Sequence, residues 1–290
     1  MHEFSVTPIA PFGAEVRGLD DDALPDPESL QVLRDLLDEH GLLVFPDAHV
    51  DYEFQVELTA LLVRHEDRLE KELVDGVPLR SRKPSFVSNR QPKAQAPFGR
   101  LLFHSDMMWS DDPCHALSLY GFEVESPAVP TVFASTTSAW ESLPAELRSR
   151  VENLTARHLT GTKMRGGDDP DLLMSTFAED ISTTAPIKCP HPRSGKSMLF
   201  VSEGNTQEIV GLDPDESEAL LGTLFEYLYA PANRLEHVWR QSDLVVWDNL
   251  AVQHARANVR TDGPARTLRK VFSPVEQKVT AEALQYSRLE

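Results

Sequence analysis

Apolar residues recur along the chain at two periods, and the switch between them marks its elements. In "DPESLQVLRDLLDEHG", Leu30, Leu33, Leu36 and Leu37 fall three and four apart, which lines one face of a helix. His40-Gly41 closes that helix, and Leu42 to Phe45 reads as a buried strand. A second helix starts near Asp51 as N-cap and carries Phe54, Leu58, Leu61 and Leu62 on one face. From Leu101 to about Ser138 the texture becomes short apolar or alternating runs, "LLFHSDMMW", "HALSLYGFEV" and "TVFAST", which is strand patterning. A helix is expected over Ser138 to Asn153. Weakly patterned stretches at about 154–185 (with "RGGDDPD") and 203–212 read as loop or lid.

Strand texture returns at "SMLFVSE". Asp213-Pro214-Asp215-Glu216 then opens a helix with an N-cap, a proline in first position and a glutamate in third, and Leu220, Leu224 and Leu228 turn inward before about Tyr229. The strands "DLVVWDN" and "ARTLRKVF" flank "LAVQHARANV". Many short strands with helices outside predict a mainly β fold with flanking helices (α+β), a jelly-roll-like barrel rather than a βαβ sheet. With 290 residues, 41% of them hydrophobic, and no break in composition, residues 1–290 read as a single domain.

Charge narrows the partners. Lys and Arg total 28 against 46 Asp and Glu, net −18, a surface that repels phosphate backbones and anionic lipid, so neither nucleic acid nor membrane is expected as partner. A small anion is not excluded, because pocket charge can oppose net charge. No signal-like segment and no run of about 20 apolar residues is present. Two cysteines are too few for a disulfide framework. A soluble, cytoplasmic protein is the expectation.

Candidate chemistry sits at the end of the first strand-rich segment. His-x-Asp occurs at His49/Asp51, His65/Asp67 and His104/Asp106. On a helix such residues diverge by roughly 200°, whereas on a strand they share a face. His65/Asp67 falls at a helix end and Asp51 is a helix cap, so His104/Asp106 is preferred. A second imidazole would complete the two-His, one-carboxylate set of non-haem iron sites. Of ten histidines, His254 is the first candidate, since it follows an apolar strand and the Asp248-Asn249 turn. His237 and His158 are alternatives, and Cys189-Pro190-His191 could in principle bind zinc. Met107, Met108 and Trp109 could line a pocket or pack the core.

The ordered blocks "FHSD", "PTVFASTTSAWESLP", "HPRSGKSMLFVSEGNT", "LVVWDNLAVQHARAN" and "ARTLRKV" resemble those of the taurine dioxygenase (TauD/TfdA) family, from about Phe4 to about Phe272. The resemblance implies a double-stranded β-helix, a cupin-like jelly roll, and an Fe(II)- and 2-oxoglutarate-dependent dioxygenase that consumes O2 and releases succinate and CO2. It implies His104, Asp106 and His254 as catalytic metal ligands. It also implies Thr131 and Arg266 as the 2-oxoglutarate site, Arg266 pairing with the distal carboxylate, and it speaks against halogenation because Asp106 is present. Relatives form dimers or tetramers, so a homo-oligomer is implied. Rival classes are a zinc-dependent hydrolase on the same ligands and a non-catalytic jelly-roll binding protein.

Strand parity places Arg266, Leu268 and Lys270 on one face and Thr267, Arg269 and Val271 on the other, so a one-residue slip would make Arg269 the anchor. Taurine-type relatives carry an arginine matching Lys270, where it holds the substrate's anionic head. Lys270, helped by Arg100 and with Trp109 nearby, is therefore expected to meet a carboxylate, sulfonate or sulfate on the primary substrate. Arg100 stands where taurine-specific members carry a polar amide, which weakens the case for taurine itself.

Overall fold

Alternation along the strands sorts the apolar residues into layers. The computed structural model describes residues 4–19, 23–63, 73–74, 77–78, 84–111, 113–160, 169–176, 181–273 and 285–288. The larger sheet has seven strands, in the order Ser5–Pro8, Ala14–Arg17, Leu42–Phe45, Leu244–Asp248, Ala116–Val124, Arg266–Ser273 and Ser85–Ser88. The smaller has four: Arg234–His237, Thr131–Ser135, Val252–Val259 and Gly99–His104. All pairings in these two sheets are antiparallel except that of Ala14–Arg17 with Leu42–Phe45. By hydrogen bonding the described strands remain two sheets, and the expected barrel is a jelly roll closed by packing of one sheet on the other.

Leu42, Val44, Leu117, Leu119, Val245, Trp247 and Leu268 of the larger sheet meet Phe133, Leu235 and Val252 of the smaller in one buried cluster. The residues of opposite parity, Leu43, Phe45, Tyr120, Leu244 and Val246, pack outward on two helices. These are α1 (Pro27–His40), which presents Leu30, Leu33 and Leu37, and α2 (Tyr52–Leu61), which presents Phe54, Leu58 and Leu61. Asp26 caps α1 by accepting from Ser29 N at 2.8 Å, and Gly41 ends it at φ +73°, a left-handed position that glycine takes without strain. Asp51 caps α2 as expected, accepting from Phe54 N at 2.8 Å.

Three expectations change. The single helix over 138–153 is two, α3 (Thr136–Ser142) and α4 (Ala145–Val151), because Leu143, preceding Pro144, is pushed to ψ 137°. The stretches read as loop or lid contain Thr155–Leu159, Ser182–Pro186 and Thr206–Ile209, which pair as a three-stranded sheet. Their alternation is obscured because polar residues fill both faces. Residues 161–168 and 177–180, and the His65/Asp67 pair, lie outside the described residues. Beside this sheet, α5 (Pro214–Leu228) buries Leu220, Leu221, Leu224 and Leu228 against Ala156, Ile209 and Val201.

Arg269 is the third change. It faces away from the inner layer, as parity requires, yet it is not solvated. Its guanidinium donates to Gln55 Oε1 (2.6 Å), Val50 O (2.8 Å) and Asp51 O (2.9 Å) and lies over the Tyr120 ring, fastening α2 to the sheet. Among the described residues no helix is long and apolar enough to cross a membrane.

Candidate metal centre

His104 and His254 stand directly opposite each other on paired strands, with ring centroids 4.2 Å apart. With Asp106 they offer three ligand atoms that all lie within 4.8 Å of one another. His104 Nε2 is 3.6 Å from Asp106 Oδ1. His104 Nδ1 sits 2.8 Å from Leu102 O, so that nitrogen carries the proton and Nε2 is left with a lone pair. His254 is buried edge-on against Trp247 at 5.0 Å, and among the described residues its Nδ1 has no hydrogen-bond partner.

Ionisation suits a divalent cation. Burial holds both histidines below their usual pKa, so both rings are neutral. Burial works to raise Asp106, but the Lys270 ammonium, by its charge and its hydrogen bond, outweighs it and holds the carboxyl below the usual range. Two neutral imidazoles and a carboxylate are the states in which these groups bind metal. The donor set and the unsatisfied ring nitrogen fit an iron site of the two-His, one-carboxylate type.

Asp106 reaches the cluster by a different route from that read in the sequence. The strand ends at His104, and Asp106 lies in a turn over 106–109 whose next residue, Met107, has φ +61°. Strand alternation therefore does not aim the carboxylate. The turn does, and it is held by Asn249, which accepts from Asp106 N at 3.1 Å and donates to Asp106 O at 2.9 Å.

Arg266 and Thr131 meet on the inner side. Arg266, 3% exposed, donates through Nε to Val129 O (2.8 Å) and through Nη2 to Thr131 Oγ1 (3.0 Å). Thr131 Oγ1 also accepts from Trp239 Nε1 at 2.9 Å, so its own hydroxyl hydrogen is free to donate elsewhere. Burial, with Arg256 nearby, pulls the Arg266 guanidinium well below its usual pKa, and among the described residues it meets no carboxylate. A buried cation in that state calls for an anion.

The residues expected to meet substrate are placed differently. Lys270 shares the face of Arg266, but its Nζ is 2.5 Å from Asp106 Oδ2, so its charge is matched by a carboxylate of the cluster itself. Arg100 is half-exposed and bound to Asp169 Oδ2 at 2.7 Å, so it is not an uncommitted cation for a substrate. Trp109 closes the 106–109 turn and is 9% exposed, and Met108 is packed in the inner core. His237 pairs with Asp243, His158 bonds Thr206, and His191 bonds Asp248, so none of these alternatives joins the cluster.

Trp239 and Gly204 escaped the sequence reading, which took Asp248 and Asn249 as turn residues only. Trp239 orients Thr131. Asn249 reaches beyond its own turn to Asp106. Asp248 accepts from Leu250 N (2.9 Å), Ala251 N (3.1 Å) and His191 Nε2 (2.8 Å), and also pairs with Arg193. Gly204, in a turn, packs against the strand Gly99–His104, where a Cβ would stand 3.0 Å from Phe103 O and 3.1 Å from His104 Cβ. The blocks "SEGNT" and "WDN" hold Gly204, Asp248 and Asn249, but nothing in local spacing says what they touch, and Trp239 lies outside both.

The fold recurs in known proteins. The model of the family described as taurine catabolism dioxygenase TauD, TfdA matches residues 5–272. The (S)-phenoxypropionate/alpha-ketoglutarate-dioxygenase of Sphingobium herbicidovorans is 28% identical over 259 residues, 87% of this chain and 88% of that one. An alkylsulfatase of Acinetobacter baylyi is 26% identical over 258 residues, covering 85% and 77%. The crystal structure of a taurine dioxygenase from Burkholderia xenovorans superimposes with a TM-score of 0.73 at 25% identity, over 99% of this chain and 96% of that one. A match that runs from the first described strand to the last strand of the larger sheet makes this chain a member of the taurine catabolism dioxygenase TauD, TfdA family.

Proposed function

We infer that this protein is an Fe(II)- and 2-oxoglutarate-dependent dioxygenase that oxidises a small anionic organic molecule and releases succinate and CO2. One juxtaposition carries the reading: the His104, Asp106 and His254 cluster shares the inter-sheet layer with a buried arginine that meets no carboxylate among the described residues. Iron bound there supplies the activation of O2 and of the keto acid. His104, Asp106 and His254 would hold the iron with two imidazoles and one carboxylate, a donor set that leaves it open to the other reactants. Arg266 holds the far carboxylate of 2-oxoglutarate, for which its planar fork is suited, and the Thr131 hydroxyl donates to the same anion. Trp239 keeps that hydroxyl turned. Phe133, Trp247 and Leu268 exclude water from the layer in which the reaction runs.

The substrate class follows from charge. With Lys270 offset by Asp106, Arg266 and Arg256 still leave the inner layer locally positive in a chain of net −18, which draws in an anion that the outer surface would repel. Relatives named for a phenoxypropionate and as an alkylsulfatase support a carboxylate, sulfonate or sulfate ester. A zinc hydrolase on the same ligands would leave Arg266 without a task.

The experiment is anaerobic addition of Fe(II) and 2-oxoglutarate to the metal-free protein. A weak charge-transfer band at about 500 nm is expected from chelation of the keto acid. Admission of O2 with a panel of carboxylates, sulfonates and sulfate esters should then give substrate-dependent succinate. No band and no succinate with any member of the panel would overturn the reading.

A further inference from the structure

We propose that Asn249 is a positioning residue of the metal centre, its side-chain amide setting where the Asp106 carboxylate stands relative to the two histidines. This rests on the metal-centre reading above. Asn249 is 0% exposed, and its amide makes three long-range hydrogen bonds. Oδ1 accepts from Asp106 N (3.1 Å), while Nδ2 donates to Asp106 O (2.9 Å) and Cys114 O (2.9 Å). Both backbone polar groups of the metal ligand are thus held by one side chain 143 residues away in sequence.

The turn needs such a hold. Asp106 lies past the end of its strand, and Met107 at φ +61° occupies a region that costs a residue with a Cβ about 1–2 kcal/mol. Without an external bond the turn would relax toward ordinary backbone and carry the carboxylate away.

The other end of the clamp is rigid. Asp248 ties the backbone of Leu250 and Ala251, and it is itself anchored by His191 and Arg193. The backbone nitrogens of Asp248 and Asn249 donate to Gly41 O and His115 O, each at 2.9 Å. His254 follows five residues later on the strand this turn starts. Asn249 therefore joins the segment bearing Asp106 to the segment bearing His254, and the distance between the two ligands is set through it.

A residue that merely fills a turn would tolerate an isosteric change, whereas a clamp would not. Asn249→Asp keeps the volume but places oxygen against two carbonyl oxygens. The test is calorimetric titration of the metal-free protein with Ni(II), which imidazole binds tightly enough for a two-histidine site to be measured. Asn249→Ala and Asn249→Asp should each weaken Ni(II) binding by about 10- to 100-fold, the usual effect of removing an outer-shell partner. In an Asp106→Ala background, adding Asn249→Ala should change the affinity less than about twofold, because the amide then has no carboxylate to place. If Asn249→Ala does not fold, Asn249→Asp carries the same comparison. Ni(II) affinity in the single variants within about twofold of the parent, or the same loss in both backgrounds, would overturn the proposal. A parent protein that binds no Ni(II) would instead sink the metal-centre reading.

Discussion

The Lys270 ammonium nitrogen lies 2.5 Å from Asp106 Oδ2, while Asp106 Oδ1 faces His104 Nε2 at 3.6 Å. The two oxygens of one carboxylate thus serve two cations, the lysine and the metal position. The pair also explains how an ammonium is held in the inner layer before any substrate arrives.

Lys270→Met keeps the volume and removes the charge. With side chains 15% and 19% exposed, loss of the pair should destabilise the metal-free protein by about 1–3 kcal/mol, since the carboxylate is left unmatched. A divalent ion supplies the missing positive charge, so saturating Ni(II) should shrink the deficit. Urea unfolding with and without metal checks this, and an equal deficit in both conditions would remove the account. In turnover at saturating metal, the variant should leave the KM for 2-oxoglutarate near the parent value, because Arg266 holds that anion.

Arg266 and Arg269 separate by role. Arg266→Ala should raise the 2-oxoglutarate requirement by about 2–5 kcal/mol of binding. Thr131→Val should act in the same direction more weakly, because Arg266 and Trp239 lose a shared acceptor. Arg269→Ala should lower the unfolding midpoint, since it strips Gln55 and two carbonyls at the start of α2 of a donor, and should leave the 2-oxoglutarate KM of the folded fraction unchanged. Steady-state kinetics beside thermal melts make the comparison, and reversed roles would show the strand register to be displaced.

Stability should fall in mild acid through His158. Burial lowers its pKa from 6.5 to about 4, so the unfolded chain takes up a proton near pH 6.5 and the folded chain refuses it until about pH 4. The folded state is thus disfavoured progressively as pH falls through that window and no further below it, with an effect on the order of 2–3 kcal/mol. Replacing His158 by Gln should flatten that part of the profile. Unfolding free energies from pH 7 to 4 on the metal-bound protein test it, and identical slopes for parent and variant would exclude His158 as the source.

Ligand removal gives the plainest outcome. His104→Ala and His254→Ala should abolish substrate-dependent succinate release while far-ultraviolet circular dichroism stays near that of the parent, because the surrounding sheets are held by apolar packing. Near-normal turnover in His254→Ala would mean that the third donor lies elsewhere.

The sequence by itself determined the elements whose evidence is local. Leucines at helical spacing with Asp26 and Gly41 at the ends specify α1, and alternation in "LVVWD" and "RTLRKVF" specifies which residues face inward. Parity alone put Arg266, Leu268 and Lys270 on one face, and the structure keeps them there. The order of the five blocks was enough to pair His104 with a histidine 150 positions away, which no spacing rule could do.

Tertiary structure decided what depends on partners distant in sequence. Alternation suggested that a strand aims Asp106, but the strand stops at His104, and a left-handed residue and the Asn249 amide bring the carboxylate round instead. Parity turned Arg269 outward but gives the face and not what covers it, and α2 covers it. Lys270 read as a substrate cation from its register, which gives a face and not a reach, and only packing places its Nζ 2.5 Å from Asp106 Oδ2. Periodicity reports the average environment of a face. Hydrogen bonds and ion pairs act over about 3 Å, so their partners are fixed only once packing brings distant segments together.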